Sequence, residues 1–468
     1  MKAVAVSRLV KSVEQSSVSP VLAVDLDGTL VKTDLLLESL LVLLKQQPLL
    51  LFVLPVWLLK GKAYFKQQIA RRVALDVTTL PYRQDLLVHL QAQHTEGRTL
   101  VLATASNMQI AQQVADHLKL FDAVFSSDGT TNLAGEAKRT RLVNEFGEKG
   151  FDYAGNDRQD RVVWASSRKA IVVEDGKRRL IDYLKPLRPQ HWLKNILIFV
   201  PLIAAQRFLE TALLEKATLA FAAFGCFASA GYLLNDLFDL AADRRHPHKR
   251  LRPFASGDLP LSYGISMIPL LVGLGCLIGL LVSPLFLGVL AIYLGLTMTY
   301  SFYLRKVVLL DVIILAGLYT MRILAGSAAV AIGPSHWLLA FSTFLFFSLA
   351  LVKRYGELVI MRRINGDGAT ARGYELDDGE LLAAMGIASG YLAVLVLALY
   401  INSDTAQALY QRYQLIWFQC PLLFYWISHV WLTAHRGRMP DDPMVFAVSD
   451  RSSQIVALLT LAVTLVAL

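Results

Sequence analysis

Asp236, Asp239 and Asp243 follow Asn235 in the run Asn-Asp-Leu-Phe-Asp-Leu-Ala-Ala-Asp, at the end of a long apolar stretch. Spacings of three and seven place the three carboxylates on one face of a helix. Acids on one stripe repel unless something positive sits among them. A divalent cation with oxygen preference, most simply Mg2+, meets that need and usually also holds substrate phosphates. The plainer alternative is a solvated helix end with scattered acids. Ionisable groups beside membrane-length apolar runs are nevertheless functional candidates. Arg244, Arg245, Lys249, Arg250 and Arg252 come directly after. Carboxylates with a metal, followed by a basic loop, make a site for a polyanion such as diphosphate. His246 and His248 are read as polar loop contacts rather than metal ligands.

A second polar set lies further on. Asp311, Tyr319 and Arg322 stand 8 and 11 residues apart in an apolar run, nearly on one helical face. An Asp and an Arg facing each other inside a bundle fit a polar pocket. A structural ion pair is the alternative.

The elements carrying these groups follow from composition. The 468 residues are 55% hydrophobic with a formal net charge of +9, and the mean hydropathy is +0.46. Charged residues dominate up to about Arg188 and long apolar runs dominate afterwards, as for two regions built for two solvents. Basic residues cluster between apolar runs. That placement fits loops facing anionic lipid or phosphate-bearing substrates and gives no reason to expect nucleic acid. Cys226, Cys276 and Cys420 offer neither metal spacing nor a disulfide framework. The first twenty residues show no signal peptide.

Residues 1–19 are expected to form a tail and 20–184 an α/β domain, with strands at Val21–Val24, Thr99–Ala103 and Ala123–Phe125. Leu35–Leu59 is very apolar but carries Glu38, Lys45, Pro48 and Pro55. It is long enough to span a membrane, and reads better as cap helices or a surface-lying segment. Residues 185–194 form a basic hinge, and 195–468 an all-α membrane domain of nine transmembrane helices. The spans are expected near 193–206, 216–235, 263–282, 285–303, 308–330, 336–352, 381–401, 414–433 and 453–468. Loops after the even-numbered spans carry fifteen Lys and Arg; loops after spans one, three, five and seven carry only Arg207, Lys216 and Arg412. The positive-inside rule then puts the N-terminal domain in the cytoplasm and the C-terminus outside.

The Asn235–Asp243 run resembles the first signature of the UbiA superfamily of intramembrane prenyltransferases. The wider run is similar to one branch, the decaprenyl-phosphate phosphoribosyltransferases, through His246, Pro247, Lys249, Arg252, Pro253, Ala255 and Gly257. Arg188, Pro189, Trp192, Lys194 and Asn195 match its upstream segment. Tyr300, Ser301, Leu304, Asp311, Val312, Tyr319, Arg322, Ala325 and Gly326 match a later one, with Arg305 where Lys is usual. The resemblance covers about residues 186–468. Relatives using prenyl diphosphates carry a second Asp-rich loop after the sixth span; here Lys353, Arg354, Tyr355 and Glu357 stand there. The branch implies phosphoribosyl pyrophosphate and polyprenyl phosphate as substrates. Mg2+ at Asp236, Asp239 and Asp243 would hold pyrophosphate, and Lys249, Arg252, Lys353 and Arg354 would hold phosphates. Lys194, Asn235, Tyr300, Arg305, Tyr319 and Arg322 join them as binding candidates, and Asp311 as a catalytic one. An aromatic prenyltransferase using polyprenyl diphosphate is the alternative enzyme. A transporter or lipid-binding protein with a regulatory domain is the alternative of another class. The sequence leaves the oligomeric state open.

Val21–Val24 followed by Asp25-Leu-Asp27-Gly28-Thr29 resembles the nucleophile motif of haloacid dehalogenase phosphatases over about residues 20–180. The resemblance implies a Rossmann-like fold with a helical cap. A carboxylate must attack phosphorus and a second must move the proton, so Asp25 is the expected nucleophile and Asp27 the acid/base. Thr104 and Lys138 fit the family's phosphate-binding positions. Asp25, Asp27, Asp157 and Asp160 are the expected Mg2+ ligands, with Asn156 standing where the family commonly has a carboxylate. The fusion suggests consecutive steps, with the phosphatase removing the 5-phosphate from the transferase product.

Overall fold

The structure, a computed structural model, describes residues 20–128, 130–174, 176, 178–363, 372–440 and 442–468. The expected tail, residues 1–19, lies outside them. The chain divides into two compact units. One comprises residues 1–187 with 232–269, the other 188–231 with 270–468.

In the first unit, four apolar residues form β1 (Val21–Val24). A strand buried on both faces reads as a continuous apolar run rather than an alternation. β1 pairs in parallel with β2 (Leu100–Asn107) on one side and with β4 (Phe151–Gly155) on the other. With β3 (Ala123–Ser127) and β5 (Ala170–Val172), the sheet order is β3-β2-β1-β4-β5. Chain order reverses at β1, the kind of switch point where parallel α/β sheets bind ligands beyond their strand ends. Asp152 of β4 is 1% exposed and is gripped by Arg98, just before β2, and by Arg168, just before β5. Burial pushes its carboxyl up, but the Arg168 and Arg98 hydrogen bonds outweigh it and hold it below the ordinary range.

The apolar stretch after β1 holds no helix long enough to cross a membrane. It forms a helix, Leu35–Gln46, a 3₁₀ turn, Pro48–Phe52, and a short helix, Leu54–Leu59. Pro48 and Pro55 sit at the starts of the later pieces, where proline is tolerated. With the next helix, Lys62–Ala70, these pieces close on a small core of Leu43, Trp57, Ile69 and Val73.

Seven helices are long and apolar enough to cross a membrane among the described residues. They are Thr211–Phe238, Leu261–Val282, Pro284–Phe302, Leu310–Val330, His336–Arg363, Asp378–Ile401 and Tyr413–His435. Pro443–Ser449 and Arg451–Ala467 make an eighth if their 75° bend is counted within one span. The chain is thus an integral membrane protein with seven or eight candidate spans, against nine expected. The difference lies at the bent C-terminal pair and at 193–206, where a 3₁₀ helix, Pro189–Phe199, runs into a five-residue helix, Val200–Ala204. Pro189 and Pro201 begin these two pieces.

Candidate functional site

Asp25 and Asp27 leave the C-terminal end of β1. The Lys138 ammonium stands 2.9 Å from Asp25 Oδ1, carried by the helix Glu136–Phe146. Burial pushes the Asp25 carboxyl up; Lys138 pulls it down, and Asp160 opposes that pull. Asp27 accepts from the Leu35 amide at 2.7 Å and from the Ser106 hydroxyl at 2.5 Å. Burial, with Asp34 adding repulsion, raises it to about 7. A carboxyl titrating near neutrality can both give and take a proton.

Thr104, fully buried in β2, accepts from the Ser106 amide. Ser106 and Lys66 belong to this site although no sequence motif assigns them to it. Lys66 comes from the helix Lys62–Ala70 and donates to the Ala105 carbonyl and to Asn132. Burial holds its ammonium below the ordinary range. A Ser two residues beyond the expected phosphate-binding Thr104 is an available signal for the first; nothing local announces Lys66.

The expected metal ligands divide. Both Asp160 oxygens are engaged by protein donors, Oδ2 by the Asn156 and Asp157 amides and Oδ1 by the Tyr153 hydroxyl. Asp157 caps the turn Arg158–Asp160. Asn156 faces the loop after β1, accepting from the Thr29 hydroxyl at 3.0 Å. Gly28 has φ +73°, and a Cβ there would stand 2.3 Å from the Asn156 amide nitrogen. Asp25 Oδ1 is itself held by Lys138, and a neutral amide stands nearby at Asn156.

The Asp-rich run belongs to the same unit. Helix Thr211–Phe238 ends just before Asp239, and a short helix, Leu240–Arg245, follows. The Asp239 and Asp243 amides still bond to the carbonyls four residues back, so the helical turn carries through. Asp236 and Asp243 converge on one nitrogen, Arg252 Nη1, at 3.1 and 2.6 Å. Asp239 instead takes the Lys45 ammonium at 2.8 Å. Among the described residues no three acids, cysteines or histidines gather as a metal cluster. Two carboxylates sharing one positive point still fit Mg2+, which takes one or two carboxylates and fills its octahedron with water and substrate phosphate. Asn235 is half-buried beside them and Lys249 is exposed. The His246 ring accepts from the His248 and Lys249 amides, the loop contact expected of it.

The second unit holds two polar clusters. Asp311 is fully buried and paired with Arg354 Nε at 2.5 Å and with the Tyr374 hydroxyl. Arg354 also reaches Glu357 at 2.7 Å and the Tyr300 hydroxyl at 3.2 Å, and Arg372 reaches Tyr300. Arg322 bonds Asn195 at 3.1 Å and lies over the Phe224, Tyr293 and Tyr319 rings. The expected facing of Asp311 and Arg322 is therefore corrected. Eleven residues span three helical turns, about 16 Å of rise, so each finds a nearer partner. Lys194 sits over the Tyr319 ring and pairs with buried Asp442, a residue that no sequence motif singles out. Lys353 and Arg305 are half-buried.

The UbiA prenyltransferase family profile matches residues 196–449, more than half of the chain. The chain belongs to the UbiA prenyltransferase family. It is 34% identical over 459 residues to the uncharacterized protein y4nM of Sinorhizobium fredii, covering 93% of this chain and 88% of that one. The nodulation protein NoeC of Azorhizobium caulinodans is 40% identical over 291 residues, 62% of this chain and 94% of NoeC. The decaprenyl-phosphate phosphoribosyltransferase of Mycobacterium tuberculosis is 28% identical over 300 residues, 62% of this chain and 96% of that enzyme. Among solved structures, a UbiA homolog from Archaeoglobus fulgidus bound to DMAPP and Mg2+ aligns with TM-score 0.47 and 16% identity, over 61% of this chain and 99% of that one.

Proposed function

We propose that the membrane region transfers 5-phosphoribosyl from phosphoribosyl pyrophosphate to polyprenyl phosphate. The observation that carries this reading is the pair Asp236 and Asp243 converging on one cationic position beside a basic loop. Likeness to phosphoribosyltransferases over their near-full length supports the donor. So does basic Lys353-Arg354 where prenyl-diphosphate users carry acids.

A lipid phosphate oxygen attacks the anomeric carbon of ribose. The carbon–oxygen bond to pyrophosphate breaks, and pyrophosphate leaves with the electron pair. The nucleophile is already anionic, so the protein's work is positioning and charge neutralisation. Mg2+ held by Asp236 and Asp243, with Asp239 nearby, would supply charge to the leaving pyrophosphate. Lys249 and Arg252 bind phosphate oxygens. Arg354, held by Asp311, Glu357 and Tyr300, presents a fixed cation with Lys353. Lys194, Asn195, Tyr319 and Arg322 shape the remaining polar surface.

The residue 20–184 domain is the haloacid dehalogenase-type partner. Asp25 attacks a phosphate monoester, the ester P–O bond breaks, and Asp27 protonates the departing alkoxide oxygen. Water then attacks the aspartyl phosphate, giving its proton to Asp27. Lys138 and Lys66 neutralise the phosphate from two sides. The 5-phosphate of the transferase product is its substrate. The domain lies in the cytoplasm, by the loop charges.

The test is product analysis by the full chain in detergent with Mg2+. Phosphoribosyl pyrophosphate with polyprenyl phosphate is offered against a prenyl diphosphate with an aromatic acid. A ribosylated lipid is expected. A prenylated aromatic without ribosyl lipid overturns the reading. Asp25→Asn should make the 5-phosphorylated lipid accumulate; unchanged products overturn the consecutive-step proposal.

A further inference from the structure

From Ser39 to Leu75 the chain contains Lys45, Lys60, Lys62, Lys66, Arg71 and Arg72, and no Asp or Glu. The same stretch carries a concentrated run of outward apolar side chains. Leu49, Leu51, Phe52, Val56, Leu58 and Leu59 are all exposed, Phe52 at 78% and Leu59 at 88%. This is no failure of packing. Trp57, between them in sequence, is buried in the cap core and lies under the Arg72 guanidinium at 4.7 Å. The short helices bury one side in that core and turn the other outward. Contiguous apolar surface rimmed by one sign of charge marks an interaction face.

Two contacts say what covers it. Lys45, at the end of the helix Leu35–Gln46, bonds the Phe238 carbonyl at 2.6 Å and Asp239 at 2.8 Å. Phe238 is the last residue of the candidate span Thr211–Phe238. Glu38 on the same cap helix pairs with Arg244 just beyond. The cap is thereby fastened where an apolar helix leaves the hydrocarbon, and the exposed run begins at Leu49, four residues after Lys45. Apolar side chains with surrounding cations suit the boundary between acyl chains and anionic headgroups.

We propose that Pro48–Leu59 inserts into the lipid leaflet as an interfacial wedge. Leu49, Phe52 and Leu59 enter the acyl region, while Lys60 and Lys62 meet lipid phosphates. The first unit then works seated on the membrane, whatever reaction either site performs.

The test uses the full chain in its native membrane, with a benzophenone amino acid in place of Phe52 or, separately, Leu59. Irradiated protein is analysed by mass for lipid adducts and by gel for protein crosslinks. Leu277, exposed on the candidate span Leu261–Val282, is the lipid-facing reference. Val88, exposed on the helix Gln84–Thr95, is the water-facing one. Lipid adducts at positions 52 and 59 comparable to position 277, and none at 88, are expected. No adduct at 52 and 59 while 277 reacts overturns the proposal. Crosslinks to a second copy or to another protein in place of lipid overturn it equally. Both positions are exposed and outside the cap core, so each variant folds and the two report independently.

Discussion

Arg244 grips Glu38 with both guanidinium arms, Nη1 to Oε1 at 2.6 Å and Nη2 to Oε2 at 3.0 Å. Both side chains are 5% exposed. One comes from the short helix Leu240–Arg245, the other from the helix Leu35–Gln46 of the α/β region, 206 residues earlier in the chain. The pair makes the Asp-rich segment and the cap parts of one compact unit. Removing Glu38's charge strands a buried guanidinium, at a cost of about 3–5 kcal/mol. Glu38→Gln should therefore lower the thermal midpoint of the detergent-solubilised chain. Adding Arg244→Met should recover part of the loss, since no buried charge then remains. An unshifted midpoint in Glu38→Gln would contradict the pair's role.

Arg354 divides its donors among Asp311, Glu357 and Tyr300. A lysine keeps the charge but cannot fork to three partners. Arg354→Lys should lose one or more charge-assisted hydrogen bonds, each worth about 1.5–3 kcal/mol. If that network fixes the cation for transfer, the rate falls roughly ten- to hundredfold. Label transfer to lipid under saturating substrate measures it; a wild-type rate would leave Arg354 a packing residue.

How much of this is legible in the sequence depends on how local each signal is. Val21–Val24 declares itself because a central parallel strand is a continuous apolar run with a motif at its end. β4 and β5 give no such signal: Phe151–Gly155 contains Asp152, and Ala170–Val172 is three residues long. Asp152 is charged inside a strand only because Arg98 and Arg168, distant in sequence, satisfy it. Asp236 and Asp243 share a face as their spacing predicts, because seven residues is a helical repeat. Lys45, Lys66 and Asp442 are invisible to such patterns, since each reaches its partner across the fold. The Asp311–Arg322 pairing fails for the opposite reason: a shared helical face is legible, but three turns of separation let nearer partners win.

Asp152 also gives a pH dependence. Its carboxyl is depressed in the folded state below the ordinary value near 4. The folded state therefore binds fewer protons than the unfolded one, and the stabilisation is complete above the unfolded value and is lost as pH falls through the folded one. The stability gap between wild type and Asp152→Asn should be constant from neutral pH down to about 5 and narrow below about 4. Denaturant unfolding monitored on the α/β signal would show it. A gap that stays constant or widens in acid would contradict the assignment.

Gly28 offers a way to disable one site and spare the other. Its φ is +73°, and a methyl added there would lie only 2.3 Å from the Asn156 amide nitrogen. Gly28→Ala is therefore costly, about 1–2 kcal/mol for the backbone alone. Phosphate release should fall more than tenfold, equal to about 1.4 kcal/mol at the transition state, while lipid labelling persists. Loss of both together would mean that the two sites do not act separately.

The most direct test of the central claim is label transfer from phosphoribosyl pyrophosphate into polyprenyl phosphate, with Mg2+, by wild type and by Asp236→Ala in detergent. Asp236 shares the Arg252 nitrogen with Asp243, and it lies outside the α/β site. The account predicts labelled lipid from wild type and background label from Asp236→Ala, with the variant's thermal midpoint close to wild type. Equal labelling by both proteins, or none by wild type while it prenylates an aromatic acid, would contradict it.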